Sequence, residues 1–206
     1  MRYYISDLHF YHERLNEFMD CRGFPDAKTM NEAMIRAWNE KVKPKDEVVI
    51  LGDLSIGSVK ETNAILDQLN GLLYLIIGNH DKRYIEDPSF HKERFVWIKS
   101  YAEMRDNKRK VILSHYPIFC YNGQYRRNQN GEPMTYMLYG HVHDSRDEYL
   151  VRQFKKITRE TLYQSKYDKE AKPIPCNMLN CFCMYSDYVP LSLDEWIENH
   201  RIRDAL

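Results

Sequence analysis

The sequence predicts an α/β fold. Short apolar runs alternate with stretches of helical character along its 206 residues, the pattern of strands joined through helices. The helical stretches open on Thr or Ser followed three residues later by Glu, a capping-box signature. And the apolar runs end, one after another, on Gly, Asp, Asn or His rather than on ordinary turn residues.

The first strand is RYYIS at 2–6. A helix follows at 29–42, with Thr29 and Glu32 as its capping box and Pro44 past its end. EVVILGD at 47–53 is a short buried strand. The second helix spans 58–71, opened by Ser58 and Glu61 and closed by Gly71 at a C-terminal glycine position. The next strand, at 72–77, is apolar at every position. Two further strands end near Ser114 and near Gly140. The segment 145–163 has helical character without a clear period. A strand is expected at 178–185, and a closing helix at 192–202 starts on Ser192 and Glu195. The long irregular stretch 121–133 is a loop of the length that often carries function. No repeat or linker divides the chain, so residues 1–206 are read as one domain.

Net charge is +0, so no global field draws the chain onto nucleic acid or a membrane. The five cysteines are odd in number and form no CxxC, which suggests a reducing compartment. Cys176, Cys181 and Cys183 lack paired zinc spacing and read as buried apolar thiols. The opening MRYYISDLHF meets Asp7 and His9 at once, which does not fit a signal peptide. No apolar run approaches membrane-spanning length. The expectation is a cytoplasmic protein.

The chemistry lies at the ends of the strands. After 2–6 come Asp7 and His9; after the 47–51 run, Gly52 and Asp53; after 72–77, Gly78, Asn79, His80 and Asp81; then Ser114 and His115; then Gly140, His141 and His143. Sites in open α/β sheets form outside the carboxyl ends of strands, so one edge of the fold collects them. Imidazole and carboxylate together suit Mn, Fe, Zn, Co or Ni. Asp7, His9, Asp53, Asn79, His115, His141 and His143 are too many ligands for one tetrahedral ion and suit two ions sharing a carboxylate. Two divalent ions bring more charge than Asp7 and Asp53 return, so the site stays positive, attracts phosphate and acidifies a bound water.

These blocks, D-x-H at Asp7–His9, G-D at Gly52–Asp53, G-N-H-D at Gly78–Asp81, His115 in SHYP and G-H-x-H at Gly140–His143, resemble the calcineurin-like metallophosphoesterase family. The match runs roughly from residue 3 to 143 with every block in order. The tail NCFCMYSDYVPLSLDEW, from Asn180 to Trp196, resembles the small bacterial and phage-type members.

The resemblance implies two mixed β-sheets packed face to face and flanked by helices. It implies that Asp7, His9 and His143 bind one divalent ion, that Asn79, His115 and His141 bind the other, and that Asp53 bridges them. A metal-bridging hydroxide is then the nucleophile, and His80 assists the leaving group. The protein-phosphatase branch reads G-D-x-x-D-R-G, whereas here Ile56 and Gly57 stand in the last Asp and Arg positions. That departure argues against a protein phosphatase and leaves His80 without its usual carboxylate; Asp81 and Asp144 are the candidates to replace it. Asp81 otherwise reads as support behind the ligands or as a helix cap. Arg126 and Arg127, in the 121–133 loop, are candidates to reach a substrate phosphate. His12, His91 and His200 read as hydrogen-bonded structural histidines.

The expected activity is metal-dependent hydrolysis of a phosphoester, a diester before a monoester, on a small or nucleotide-like substrate. A nuclease on the same scaffold is the alternative, disfavoured by the neutral charge. A non-catalytic interaction scaffold is a third reading, disfavoured because His80 and every ligand are present.

Overall fold

The computed structural model describes residues 1–164, 166 and 169–204. In chain order the elements are β1 (Arg2–Ile5), α1 (Ala27–Lys41), β2 (Glu47–Ile50), α2 (Val59–Leu66), β3 (Leu72–Ile76), α3 (Lys82–Ile85), β4 (Phe95–Lys99), β5 (Tyr101–Asp106), β6 (Arg109–Ser114), β7 (Thr135–Tyr139), α4 (Arg146–Glu160), β8 (Leu162–Tyr163), β9 (Lys172–Pro173), β10 (Met178–Asn180) and α5 (Leu193–Arg203).

Two four-stranded sheets form the centre. The first has the order β1-β2-β3-β4 and is parallel throughout. An antiparallel bridge from Tyr4 to Leu191 borders its β1 edge. Parallel strands need long crossovers, which α1 and α2 provide. The second sheet has the order β10-β7-β6-β5. It is mixed: β7 runs parallel to β6 and β10, while β5 joins β6 as an antiparallel hairpin.

Side-chain alternation shows how the sheets stack. Val111, Leu113, Tyr136 and Leu138 of the second sheet join one core with β1, β2, β3, α1 and α2. Their neighbours Ile112, Met137 and Tyr139 point the other way, into a smaller core under Val151 of α4. A period of two along β6 and β7 thus sends one face to the first sheet and the other to α4. Two tryptophans fasten helices to the first sheet and its approach: Trp38 of α1 donates from Nε1 to Asn70 O, in the connection before β3, at 2.9 Å, and Trp196 of α5 to Tyr4 O of β1 at 2.9 Å. Both rings are buried, and deleting such a ring costs about 3–5 kcal/mol.

Several boundaries differ from the sequence expectation. Helix α1 starts at Ala27, and its cap is Asp26, whose carboxylate accepts from Thr29 N at 2.6 Å; Thr29 lies inside the first turn. The Ser58–Glu61 and Ser192–Glu195 capping boxes are both present. Helix α2 ends at Leu66, well before Gly71, which instead takes φ +101° on the lead into β3. The strand expected over 178–185 is short, because the chain leaves it for a 3-10 turn at Cys183–Ser186. Strands β4 and β5 lie on sheet edges, where Val96, Tyr101, Glu103 and Arg105 face solvent; β5 alternates and has no continuous apolar run to announce it, whereas β4 does carry one, Phe95–Ile98.

Cys176, Cys181 and Cys183 are buried free thiols, whereas Cys21 and Cys120 are exposed. No helix of the described residues is long and apolar enough to cross a membrane.

Candidate metal centre

The carboxyl ends of β1, β2, β3, β6 and β7 meet at one edge of the stacked sheets. Each delivers its motif residues within a few positions of the strand end. Close approach is what the motif glycines permit. A Cβ on Gly78 would overlap the Asp53 carboxylate, and one on Gly52 would overlap the His115 ring. The strand ends can therefore touch only through glycine. The backbone is bent as well: Asp7, His9, Asp53, His141 and His143 all hold positive φ, between 49° and 71°. Non-glycine residues adopt this region at a cost, and it concentrates at functional sites.

The side chains converge into overlapping clusters: Asp7, His9 and His143; His9, Asp53 and His80; and Asp53, His115 and His141. One oxygen of Asp53 lies 3.6 Å from His9 Nε2 and 3.5 Å from His115 Nε2. His9 and His143 face each other through Nε2 at 3.2 Å, and His143 Nε2 stands 3.7 Å from Asp7 Oδ1. Asn79 Oδ1 is 3.0 Å from His115 Nε2, which brings Asn79 to the same group. His80 donates its main-chain N–H to Asp53 Oδ1 at 2.9 Å, with its ring 5.3 Å from that of His9.

The donor set fits divalent ions. His115 Nδ1 is 2.8 Å from Leu51 O, a partner that can only accept, so neutral His115 carries its proton there and offers a lone pair at Nε2. His143 Nδ1 is likewise held by Asp20 at 2.7 Å, leaving Nε2 to face Asp7 and His9. Lone pairs of imidazole, carboxylate and amide oxygen thus converge with few protons between them, an arrangement that suits a cation.

Asp20 had no signal in the sequence. It follows an irregular π-helical turn at Leu15–Met19 and meets His143 across more than a hundred residues of chain. Arg22 is its partner. The buried guanidinium donates to Asp20 at 3.0 Å, to Leu8 O at 2.6 Å and to Asp7 O at 2.8 Å, so it grips the loop that carries Asp7 and His9. Asn180, the residue that leads the tail motif, donates to His143 O at 2.9 Å and to Glu148 at 3.0 Å.

Asp81 is fully buried; it stands at the N-cap position of α3, but its side chain does not cap that helix. Its carboxylate accepts from the main-chain N–H groups of Asp53 (3.0 Å), Leu54 (3.0 Å) and Gly78 (2.7 Å), and from the Tyr84 hydroxyl. Among the described residues neither Asp81 nor Asp144 makes a hydrogen bond to the His80 ring; Asp144 Oδ1 accepts from the Tyr185 hydroxyl at 2.7 Å.

Charge tunes the cluster. Burial opposes ionisation of Asp53, but the hydrogen bond and charge of protonated His115, with help from His9, outweigh it and hold the carboxyl well below the usual range; Asp53 and Asp7 in turn raise His115, against burial, to about 9, a proton that a cation at Nε2 would replace. Burial pushes His9 far down and also lowers His141. For His143 the Asp20 hydrogen bond overcomes burial and raises it.

The cavity over this cluster is about 420 Å³; of the predicted residues His9, Asp53, Asn79, His80, His141 and His143 line it, with His12, Leu15, Met19, Asp20 and Asp147 among their neighbours, whereas Asp7 and His115 lie behind the lining. Arg126 and Arg127 are not there. They surround a separate cavity with Arg105, Lys108 and Lys110, at the amino ends of β6 and β7. Those strands carry His115 and His141 at their opposite ends, so the two arginines stand away from the clustered ligands. His200 donates to Asn180 O at 2.9 Å, and His91 pairs with Asp67 at 3.2 Å.

Comparison with known proteins supplies the family. The calcineurin-like phosphoesterase superfamily domain matches residues 2–158. An uncharacterized protein of Methanocaldococcus jannaschii is 34% identical over 150 residues, covering 71% of this chain and 72% of its own. The gene 66 protein of Mycobacterium phage D29 is 31% identical over 166 residues, covering 68% of this chain and 77% of its own. The crystal structure of a protein of unknown function, AQ665 from Aquifex aeolicus, superposes with a TM-score of 0.63 at 24% identity, over 96% of this chain and 98% of the other; it speaks for the fold alone. The chain belongs to the calcineurin-like phosphoesterase superfamily.

Proposed function

We propose that this chain is a metal-dependent phosphoesterase that prefers a phosphodiester, with phosphomonoesters as its second substrate class. The observation that supports it most is Asp53, a single carboxylate shared by the His9 and the His115 clusters. In this reading Asp7, His9, Asp53 and His143 hold one divalent ion, and Asp53, Asn79, His115 and His141 hold the other, drawn from Mn, Fe, Zn, Ni or Co. Bound there, the ions supply an acidified water and the positive charge that an in-line displacement at phosphorus needs.

The chain's own residues do the rest. Asp7 and Asp53 are the only anions among the ligands, so the occupied site keeps a net positive charge toward a phosphate. His80 opens into the cavity with its backbone tied to Asp53, where its imidazole can give a proton to the departing ester oxygen. The diester preference rests on Ile56 and Gly57, which provide no second acid and no arginine grip for a terminal phosphate.

A nuclease is the weaker reading. The cavity lining includes neither lysine nor arginine, and it includes Asp20, Asp144 and Asp147 beside the ligands. A long polyanion would meet acid there rather than the basic track it needs. A compact substrate fits better.

The test is turnover of bis-p-nitrophenyl and p-nitrophenyl phosphate with added Mn²⁺. Hydrolysis of both, the diester faster, is expected. No turnover of either with Mn, Ni, Co or Fe, in protein shown to bind the metal, overturns the reading.

A further inference from the structure

A phosphoryl group in this cavity needs hydrogen-bond donors, and the usual ones are missing from its lining, which includes no Lys or Arg. Of the imidazoles that line it, His9, His141 and His143 are taken as ligands. Two remain, His80 and His12. His80 is assigned to the leaving group; His12 has no role so far.

His12 is held by more than its place in the loop. Its main-chain N–H donates to His9 O at 3.1 Å, and its carbonyl accepts from Asn16 N at 3.2 Å. Its ring stands edge-on to His9, with centroids 5.6 Å apart. Its Nδ1 accepts the main-chain N–H of Leu15 at 3.1 Å. That bond decides the tautomer. A ring whose Nδ1 accepts must carry its proton on Nε2. The neutral ring is therefore a fixed donor, and Nε2 has no protein acceptor among the described residues. The first turn after β1 thus supplies both a ligand, His9, and, one turn on, a donor of fixed polarity lining the same cavity.

We infer that His12 binds substrate: its Nε2–H, locked in that tautomer by Leu15 N, donates to a non-bridging oxygen of the phosphoryl group. The inference rests on the phosphoesterase reading above. It differs from a purely structural role, in which His12 only satisfies the Leu15 amide at the start of the π-helical turn.

Two substitutions separate these roles. His12→Asn keeps an acceptor near the place of Nδ1 and so keeps the bond to Leu15, but it has no donor at the reach of Nε2. His12→Gln keeps an amide donor near the place of Nε2 and loses the short acceptor. Both are assayed with added Mn²⁺ for kcat and KM on bis-p-nitrophenyl phosphate. Metal content, thermal midpoint and calorimetric affinity for inorganic phosphate are measured alongside.

The expected result is that His12→Asn folds normally, keeps its metal, loses roughly 10²-fold in kcat/KM, as removal of one preorganised donor does, and binds phosphate more weakly. His12→Gln stays within about 10-fold of the wild type on the same scale. His12→Asn indistinguishable from wild type overturns the inference, and so does equal impairment of the two variants. If the wild type hydrolyses no ester, the proposed function fails separately, and the phosphate affinities of the two variants still decide the role of His12.

Discussion

The two sheets hold their shares of the candidate metal centre by different means. The first supplies Asp7, His9, Asp53 and Asn79, and main-chain contacts dominate their support. Asp81 gathers the N–H groups around Asp53 and Gly78, and Arg22 grips the carbonyls of Asp7 and Leu8. The second supplies His115, His141 and His143, and two of these rings are aimed through their far nitrogen, His115 by Leu51 O and His143 by Asp20. A short carboxylate has little freedom once its backbone is set. An imidazole reaches further and must also carry its proton on the correct nitrogen. Damage to the first half should therefore register mainly as lost stability, and damage to the second mainly as lost metal affinity.

The largest effect is expected where the halves join. Asp53→Asn removes the only carboxylate shared by both clusters and should lower kcat/KM by roughly 10³-fold or more, with metal stoichiometry falling below two per chain. Wild-type turnover with full metal content would break the idea of a shared ligand. Next comes Asp81→Ala, which strands buried N–H groups and should cost about 3–5 kcal/mol, read as a shift in the denaturant midpoint. A variant as stable as the wild type would show that main-chain support does not govern the first half. Asp20→Asn touches the second half: metal affinity should fall by about 10–100-fold, while the denaturant midpoint falls less than in Asp81→Ala, because Asn keeps an oxygen for the buried Arg22 guanidinium. The reverse pattern would erase the distinction.

A smaller and more gradual effect sharpens the comparison from behind the second half. His200 bonds to Asn180 O, and burial, aided by the charge of Lys155, pushes its imidazole down to about 3. In the unfolded chain the ring titrates near its ordinary value of 6.5. Between these values the unfolded chain holds a proton that the folded chain refuses. Stability from this group is thus complete above about pH 6.5 and declines as the pH falls toward about 3, at about 1.4 kcal/mol per pH unit. Denaturant titrations from about pH 6 down to about pH 5 should show His200→Gln flatter than the wild type by nearly that slope. Parallel slopes would mean that His200 is not carried neutral.

What the sequence made legible follows from the same physics. Strands β1, β2, β3, β6 and β7 are buried, so they read as apolar runs, and their ends point to the ligand residues, which the structure brings together. The edge strand β5 is half exposed and offers no run to read, while β4 offers only the short run Phe95–Ile98, which periodicity alone does not assign to strand or helix. Thr29 and Glu32 put the expected start of α1 two residues late, because they mimic a box that Asp26 pre-empts. Asp20 and Arg22 were invisible for another reason: each has meaning only through a distant partner, His143 or the Asp7 loop, and no local periodicity encodes such a pairing. Arg126 and Arg127 mislead in the opposite sense. They are near His115 in sequence, but a strand length carries them to the other end of the sheet.

The Asp81 hub also bears on the timescale of motion at the strand ends. The amides of Asp53, Leu54 and Gly78 point into one buried carboxylate, so none can meet water by a local swing of its loop. Loop amides usually exchange quickly with solvent. These should be among the slowest in the chain, releasing their hydrogens only when the sheet itself opens.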